Sequence, residues 1–206
     1  MFEIYKKINS VVLSSDQINI KLLLLSEHLQ KKISSYLGNK KKQQRIDGLA
    51  LLATALKNHK INENAINLIY YNSFGKPFIN TEIDFSISYS NNTTVLGFIK
   101  KGSIGIDVEQ IRTVDCTLFK DYFSLNEWEF MSQNSFNEAV FFKLWTRKEA
   151  VVKAIGKGVF IELNLVEVLQ DFIIIDDKKL YLTTQFTDEY CLSVANTEIK
   201  PTTPRL

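Results

Sequence analysis

Two short segments constrain this chain more than any other: Ile104-Gly105-Ile106-Asp107-Val108-Glu109 and Trp145-Thr146-Arg147-Lys148-Glu149-Ala150-Val151-Val152-Lys153. The first alternates apolar residues with small or acidic ones, the period of a β-strand, so Asp107 and Glu109 project from one face. The second has helical character, and Glu149 and Lys153, four apart, share a helix face. If that helix packs across the strand, three carboxylates and an ammonium converge. Such a set suits a hard divalent cation and a phosphate-bearing ligand. Glu149 stands 42 positions after Asp107, so convergence requires the chain to fold back. Taken singly, each acid also reads as an ordinary exposed residue of a hairpin or a helix.

The flanking sequence supplies elements on both sides of this pair. Phe2 to Val12 reads as extended chain, Ser14 to Asp16 can open a helix through Leu25, and Ser26 caps another to about Leu37. Ile46, Leu49, Ala50, Ala53 and Leu56 recur at helical spacing within Lys41 to Asn58, with Gly48 the weak residue of a core-facing helix. A strand at Ile66 to Tyr71 runs into the turn Asn72-Ser73-Phe74-Gly75-Lys76-Pro77. Ile83, Phe85, Ile87 and Tyr89 then alternate with Asp84, Ser86, Ser88 and Ser90. That strand, Thr94 to Ile99 and Ile104 to Glu109 follow one another through short turns, which predicts a three-stranded antiparallel meander.

Ser124-Leu125-Asn126-Glu127 is a capping-box pattern, and Asn137 caps a long helix closed by Gly156 and Gly158. Lys148 falls in the apolar stripe of that helix, where a lysine snorkels to the rim or reaches a bound anion. Strands at Phe172 to Ile175, Leu180 to Phe186 and Tyr190 to Ala195 complete the chain. Helix and strand groups thus occur twice. The expected fold is α+β with two similar lobes, residues 1–105 and 106–200, each an antiparallel sheet packed with helices, and a ligand cleft between them. Residues 201–206 form a loose tail.

Composition narrows the class by exclusion. The 206 residues carry a net charge of +2, too near neutral to argue for nucleic acid, although Lys31-Lys32 and Lys40-Lys41-Lys42 can serve a small anion or simply solvate helix faces. No window approaches the ~18 apolar residues of a membrane span, and Met1 to Lys7 lacks the apolar core of a signal peptide. Cys116 and Cys191 have no metal-ligand spacing, so a cytoplasmic protein without disulfides is expected. His28 and His59 are far apart, which disfavours a zinc hydrolase, and neither a Walker A loop nor a Gly-x-Ser-x-Gly elbow is present.

The two opening segments together resemble the paired signature of the 4′-phosphopantetheinyl transferases: a Gly-hydrophobic-Asp strand, then Trp/Phe-Ser/Thr/Cys-x-Lys-Glu-Ala/Ser-x-x-Lys. Phe74-Gly75-Lys76-Pro77-Phe78 resembles that family's Gly-Lys-Pro loop. Phe85-Ser86-Ile87-Ser88-Tyr89-Ser90 resembles its Asn-Ile-Ser-His-Ser strand, and Phe123-Ser124 with Glu127 its Phe-Ser-x-x-Glu turn. The similarity runs over residues 26 to 160, and the length points to the larger, monomeric Sfp type.

The resemblance implies a pseudo-twofold arrangement of the lobes with coenzyme A in the cleft. Asp107, Glu109 and Glu149 would hold Mg²⁺, with Glu149 the base and Lys153 assisting the leaving group. Gly75, Lys76, Pro77, Ser88, Tyr89, Asp107 and Lys153 would contact the coenzyme. The partner would be an apo acyl or peptidyl carrier protein, whose serine takes the phosphopantetheine arm. Two departures bear on the coenzyme's 3′-phosphate: Tyr89 replaces the family's histidine, and no arginine stands near Ala50, leaving Arg45 or Lys40 to Lys42 to compensate. The rival readings are another Mg²⁺-dependent phosphoryl-transfer or nucleotide-hydrolysing enzyme, and a non-catalytic module that binds coenzyme A or a carrier protein.

Overall fold

The computed structural model describes residues 1–197; the expected loose tail at 201–206 lies outside them. In chain order the regular elements are β1 (Phe2–Ile8), α1 (Ser15–Leu22), α2 (Glu27–Ser34), α3 (Asn39–Asn58), β2 (Tyr70–Tyr71), β3 (Pro77–Phe78), β4 (Asp84–Ser90), β5 (Thr93–Ile99) and β6 (Ile104–Gln110). They continue with α4 (Leu125–Gln133), α5 (Glu138–Ile155), β7 (Phe172–Ile175), β8 (Lys178–Phe186) and β9 (Tyr190–Asn196). The fold is α+β. Three antiparallel sheets, ordered β1-β5-β4, β2-β3 and β6-β9-β8-β7, pack with helices. No helix among the described residues is long and apolar enough to cross a membrane.

Helix ends follow local chemistry. Ser14 and Ser124 each close a capping box, with Gln17 and Glu127 as the reciprocal partners. The Asn137 side chain accepts from the Val140 amide to start α5, and Gly156, at φ 77°, ends it in the left-handed conformation that glycine tolerates best. One core forms where α3 lays Leu49, Leu52 and Leu56 against Phe85, Leu96 and Phe98. A second forms where α5 lays Phe141, Leu144 and Val151 against Leu180 and Leu182. Each such side chain contributes roughly 1.5–3 kcal/mol by leaving water. Gly48, the weak residue of α3, has a packing reason: a Cβ there would lie 2.7 Å from the Tyr89 hydroxyl.

The expected meander is half right. β4 and β5 pair as a hairpin, but β6 leaves that sheet and pairs with β9. The cause is the polar face of β4. Rather than facing water, it is buried against the edge of β6, whose amides it satisfies with side-chain oxygens. Ile104 N donates to Asp84 Oδ2 at 2.8 Å, Ile106 N to Ser86 Oγ at 3.1 Å, Val108 N to Ser88 Oγ at 3.3 Å and Gln110 N to Ser90 Oγ at 2.9 Å. The constant offset along both strands means that β6 runs alongside β4 in the same direction. The strand expected at Ile66 to Tyr71 is also shorter. Glu63–Leu68 is a 3₁₀ turn begun by Asn62, whose side chain accepts from the Asn64 amide, and only Tyr70–Tyr71 is extended.

Helix α5 crosses β6 at Gly105, where a Cβ would lie 1.9 Å from the Ala150 carbonyl oxygen and 2.4 Å from the Ala154 nitrogen. Both atoms belong to backbone, so nothing flexible can give way. Gly105→Ala is therefore expected to cost about 3 kcal/mol or to prevent folding. An unchanged urea midpoint for that variant would mean that α5 does not depend on this approach.

Candidate active site

The crossing of α5 over β6 brings the sequence-predicted acids into one electrostatic cluster. Asp107 is 4% exposed. Its Oδ1 accepts from Ser88 Oγ at 2.7 Å and from Lys153 Nζ at 2.6 Å. Glu109 accepts from Ser90 Oγ at 3.0 Å and lies 3.8 Å from the Arg112 guanidinium. Burial raises the Glu149 carboxyl above its ordinary pKa, Asp107 and Glu109 raise it further, and Lys153 opposes them. Burial likewise raises Glu109, with Asp107 adding to the shift and Ser90, Arg112 and Lys153 opposing it. The chain thus folds back as the spacing requires.

No three His, Cys, Asp or Glu side chains among the described residues stand close enough together to form a ready-made metal cage. One observation nevertheless fits a cation. Asp107 Oδ2 is buried with no hydrogen-bond partner, an expensive state for a carboxylate oxygen. Lys153 engages only the other oxygen of that carboxylate.

Glu149 and Lys153 border a cavity of about 750 Å³, and Gly75, Lys76, Pro77 and Tyr89 lie in its wall. Asp107, Glu109 and Ser88 are not among its lining residues. Ser88, expected to contact phosphate, is buried; it donates to Asp107 and accepts from the Val108 amide and from Lys153. Lys76 has its ammonium 2.6 Å from Asp84 Oδ2, so its charge is engaged at the start of β6. Part of the cavity wall is aromatic and basic. The Arg45 guanidinium lies 4.0 Å from the centre of the Tyr89 ring and 4.8 Å from that of Tyr36, and Lys32 Nζ sits 3.5 Å over Tyr71. Arg45 Nε is buried without a hydrogen-bond partner. Burial raises the Tyr89 phenol and lowers the Lys32 ammonium, the latter also through the neighbouring charge of Arg45.

Residues 103–197, which hold the acids and Lys153, match the family model described as the 4′-phosphopantetheinyl transferase superfamily. The match takes in a little less than half of this chain, which is similar to that superfamily over those residues. It is 40% identical over 105 residues to the 4′-phosphopantetheinyl transferase Gsp of Aneurinibacillus migulanus, a match covering 50% of this chain and 43% of that one. It is 32% identical over 95 residues to Sfp of Bacillus subtilis strain 168, covering 44% and 42%. It is 37% identical over 92 residues to AcpT of Salmonella typhi, covering 42% and 48%. The matched stretch spans less than half of each of these curated relatives.

Several supporting residues are less visible in the motifs than the acids. Asp84, Ser86 and Ser90 hold β6 and thereby aim Asp107 and Glu109. Tyr36 and Tyr71 frame Arg45 and Lys32. A partial signal existed for α2: Leu29, Lys32, Ile33 and Tyr36 recur at helical spacing, and all four line the cavity. Lys148 does not snorkel; it is 0% exposed and paired with the Glu127 carboxylate at 2.6 Å. Burial lowers its pKa, and Glu127 opposes that shift.

The raised carboxyls carry a stability consequence. A folded-state pKa above the unfolded value means that the folded protein binds the proton more tightly. The contribution is then fully present below the ordinary carboxylate pKa and is lost as pH rises through the raised value. In metal-free protein, Glu149→Gln should therefore melt a few degrees higher than wild type at neutral pH. That gain should vanish below about pH 4. A gain that persists in acid, or a loss at neutral pH, would contradict the repulsive cluster.

Proposed function

We propose that this protein transfers the 4′-phosphopantetheine arm of coenzyme A to a serine hydroxyl of an apo acyl or peptidyl carrier protein and releases adenosine 3′,5′-bisphosphate. The observation that carries the reading is the junction of a half-buried acid cluster with a cavity whose wall also carries basic and aromatic side chains. Residues 1–105 and 106–200 are then two lobes in pseudo-twofold relation, and the cavity is the coenzyme cleft between them. Lys32 and Arg45, which line it, suit the nucleotide phosphates. Tyr89 stacks on Arg45, in keeping with a grip on the 3′-phosphate made by Lys32 and Arg45 without the family's histidine.

Asp107, Glu109 and Glu149 would hold Mg²⁺, which supplies charge neutralisation at the pyrophosphate when bound. The unpartnered Asp107 Oδ2 and the mutual repulsion of the acids support that assignment. Glu149, whose proton affinity is raised, takes the proton of the carrier serine, whose oxygen forms a bond to the β-phosphorus of the coenzyme. The bond from that phosphorus to the bridging oxygen breaks, and the electrons leave with adenosine 3′,5′-bisphosphate. Lys153, anchored to Asp107 at 2.6 Å, offsets charge developing on the departing phosphate. Ser88 and Ser90 hold the carboxylates rather than the substrate. A groove lined by Lys120, Leu125 and Trp128 adjoins the cavity through Asp121 and Asn164, which line both, and offers a carrier-protein seat. A cytoplasmic monomer fits this chemistry.

Incubation with coenzyme A, Mg²⁺ and a panel of apo carrier proteins should add the mass of the phosphopantetheine arm to at least one of them, and a chelator should abolish the addition. Glu149→Gln should lower kcat by about 10²–10⁴ while the protein stays folded. No transfer to any carrier by folded wild-type protein, or wild-type turnover in Glu149→Gln, would overturn the reading.

A further inference from the structure

Part of the cavity wall has little regular structure of its own. Ile161, Glu162, Leu163 and Asn164 line the cavity, and the chain from there to β7 contains only a short 3₁₀ turn, Leu163–Leu165. What holds this wall is a buried charge pair. Lys148 Nζ donates to the carbonyl oxygens of Leu163 at 2.8 Å and Val166 at 2.6 Å, and it pairs with Glu127 Oε2 at 2.6 Å. Glu127 Oε1 accepts from the Val168 amide at 2.9 Å, and its Oε2 accepts from the Ser124 amide at 2.8 Å. Both side chains are 0% exposed.

A buried ion pair is weak evidence for stability, because well-packed apolar side chains of similar volume often do as well. An apolar pair could not, however, bond the Val166 carbonyl and the Val168 amide, or add to the bond that the Leu163 carbonyl already accepts from the Val166 amide at 3.0 Å. Lys148 also directly precedes Glu149 on α5. One residue fastens the wall and the next faces the cavity. The wall includes Asn164, shared with the neighbouring groove.

We propose that Lys148 and Glu127 are positioning residues that hold the 161–164 wall at a set distance from Glu149, and so fix the space left for the pantetheine arm and the incoming hydroxyl. They touch no substrate themselves. The functional half of this inference rests on the transferase reading above; the structural half does not.

The test uses this chain with two variants, Lys148→Met and the double variant Lys148→Met/Glu127→Gln, which leaves no unpaired buried charge and keeps one carbonyl acceptor at position 127 for the Val168 or the Ser124 amide. The double variant guards against a single variant that fails to fold. It should bind adenosine 3′,5′-bisphosphate within about twofold of wild type, yet lose about tenfold or more in kcat/KM for the carrier protein. Amide hydrogen exchange should quicken selectively at residues 163–168. Wild-type kcat/KM in the double variant, a parallel loss of bisphosphate affinity, or exchange that is unchanged or quickened uniformly would overturn the proposal. Should wild-type protein modify no carrier, the transferase reading fails, and hydrogen exchange alone decides whether the pair holds the wall.

Discussion

The row of hydrogen bonds from β6 amides to side-chain oxygens of β4 is what the remaining structure depends on. Asp84, Ser86, Ser88 and Ser90 stand on one face of β4 and accept from alternate amides of β6. Each buried amide left without such an acceptor would cost about 1–3 kcal/mol. The same hydroxyls have protons to give: Ser88 donates to Asp107 and Ser90 to Glu109. A single set of serines therefore joins two sheets and orients two acids.

Helix α5 completes the arrangement because consecutive residues of one segment fasten different parts of the molecule. Trp145 meets Phe119 edge-on with ring centres 5.4 Å apart. Thr146 bonds Ser193 of β9 at 2.7 Å. Arg147 donates to Thr184 at 2.9 Å and to the Val168 carbonyl at 3.0 Å. Lys148 takes the wall segment, Glu149 borders the cavity, and Lys153 returns to Asp107. The helix is held on every side before its carboxylate meets a ligand, which is how a site is pre-organised rather than assembled on binding. Arg147 and Lys148 have no surface role to relax into; both are buried.

Features governed by near neighbours were legible in the sequence. Capping residues at Ser124 and Asn137, the glycine stop of α5 and the pairing of Asp107 with Glu109 follow from local periodicity. The sheet membership of β6 was not, because alternating serines on β4 read as a solvent face when their partners lie on another strand. Lys148 was misread for a related reason: only the distant Glu127, at the start of α4, makes its burial tolerable. Gly48 looked like a defect in α3 until Tyr89 supplied the reason for its missing side chain. Ser88 read as a phosphate contact, whereas its hydroxyl donates to Asp107.

If the acid cluster and the adjoining cavity form the single site proposed, Mg²⁺ and coenzyme A bind there cooperatively, each raising the other's affinity by the same factor. Calorimetric titration of coenzyme A with and without Mg²⁺, in wild type and in Asp107→Asn, measures that coupling directly. The expected result is a Mg²⁺-dependent gain of about tenfold or more in wild type that disappears in Asp107→Asn. Equal coenzyme A affinity with and without Mg²⁺ in the wild-type protein would contradict the account.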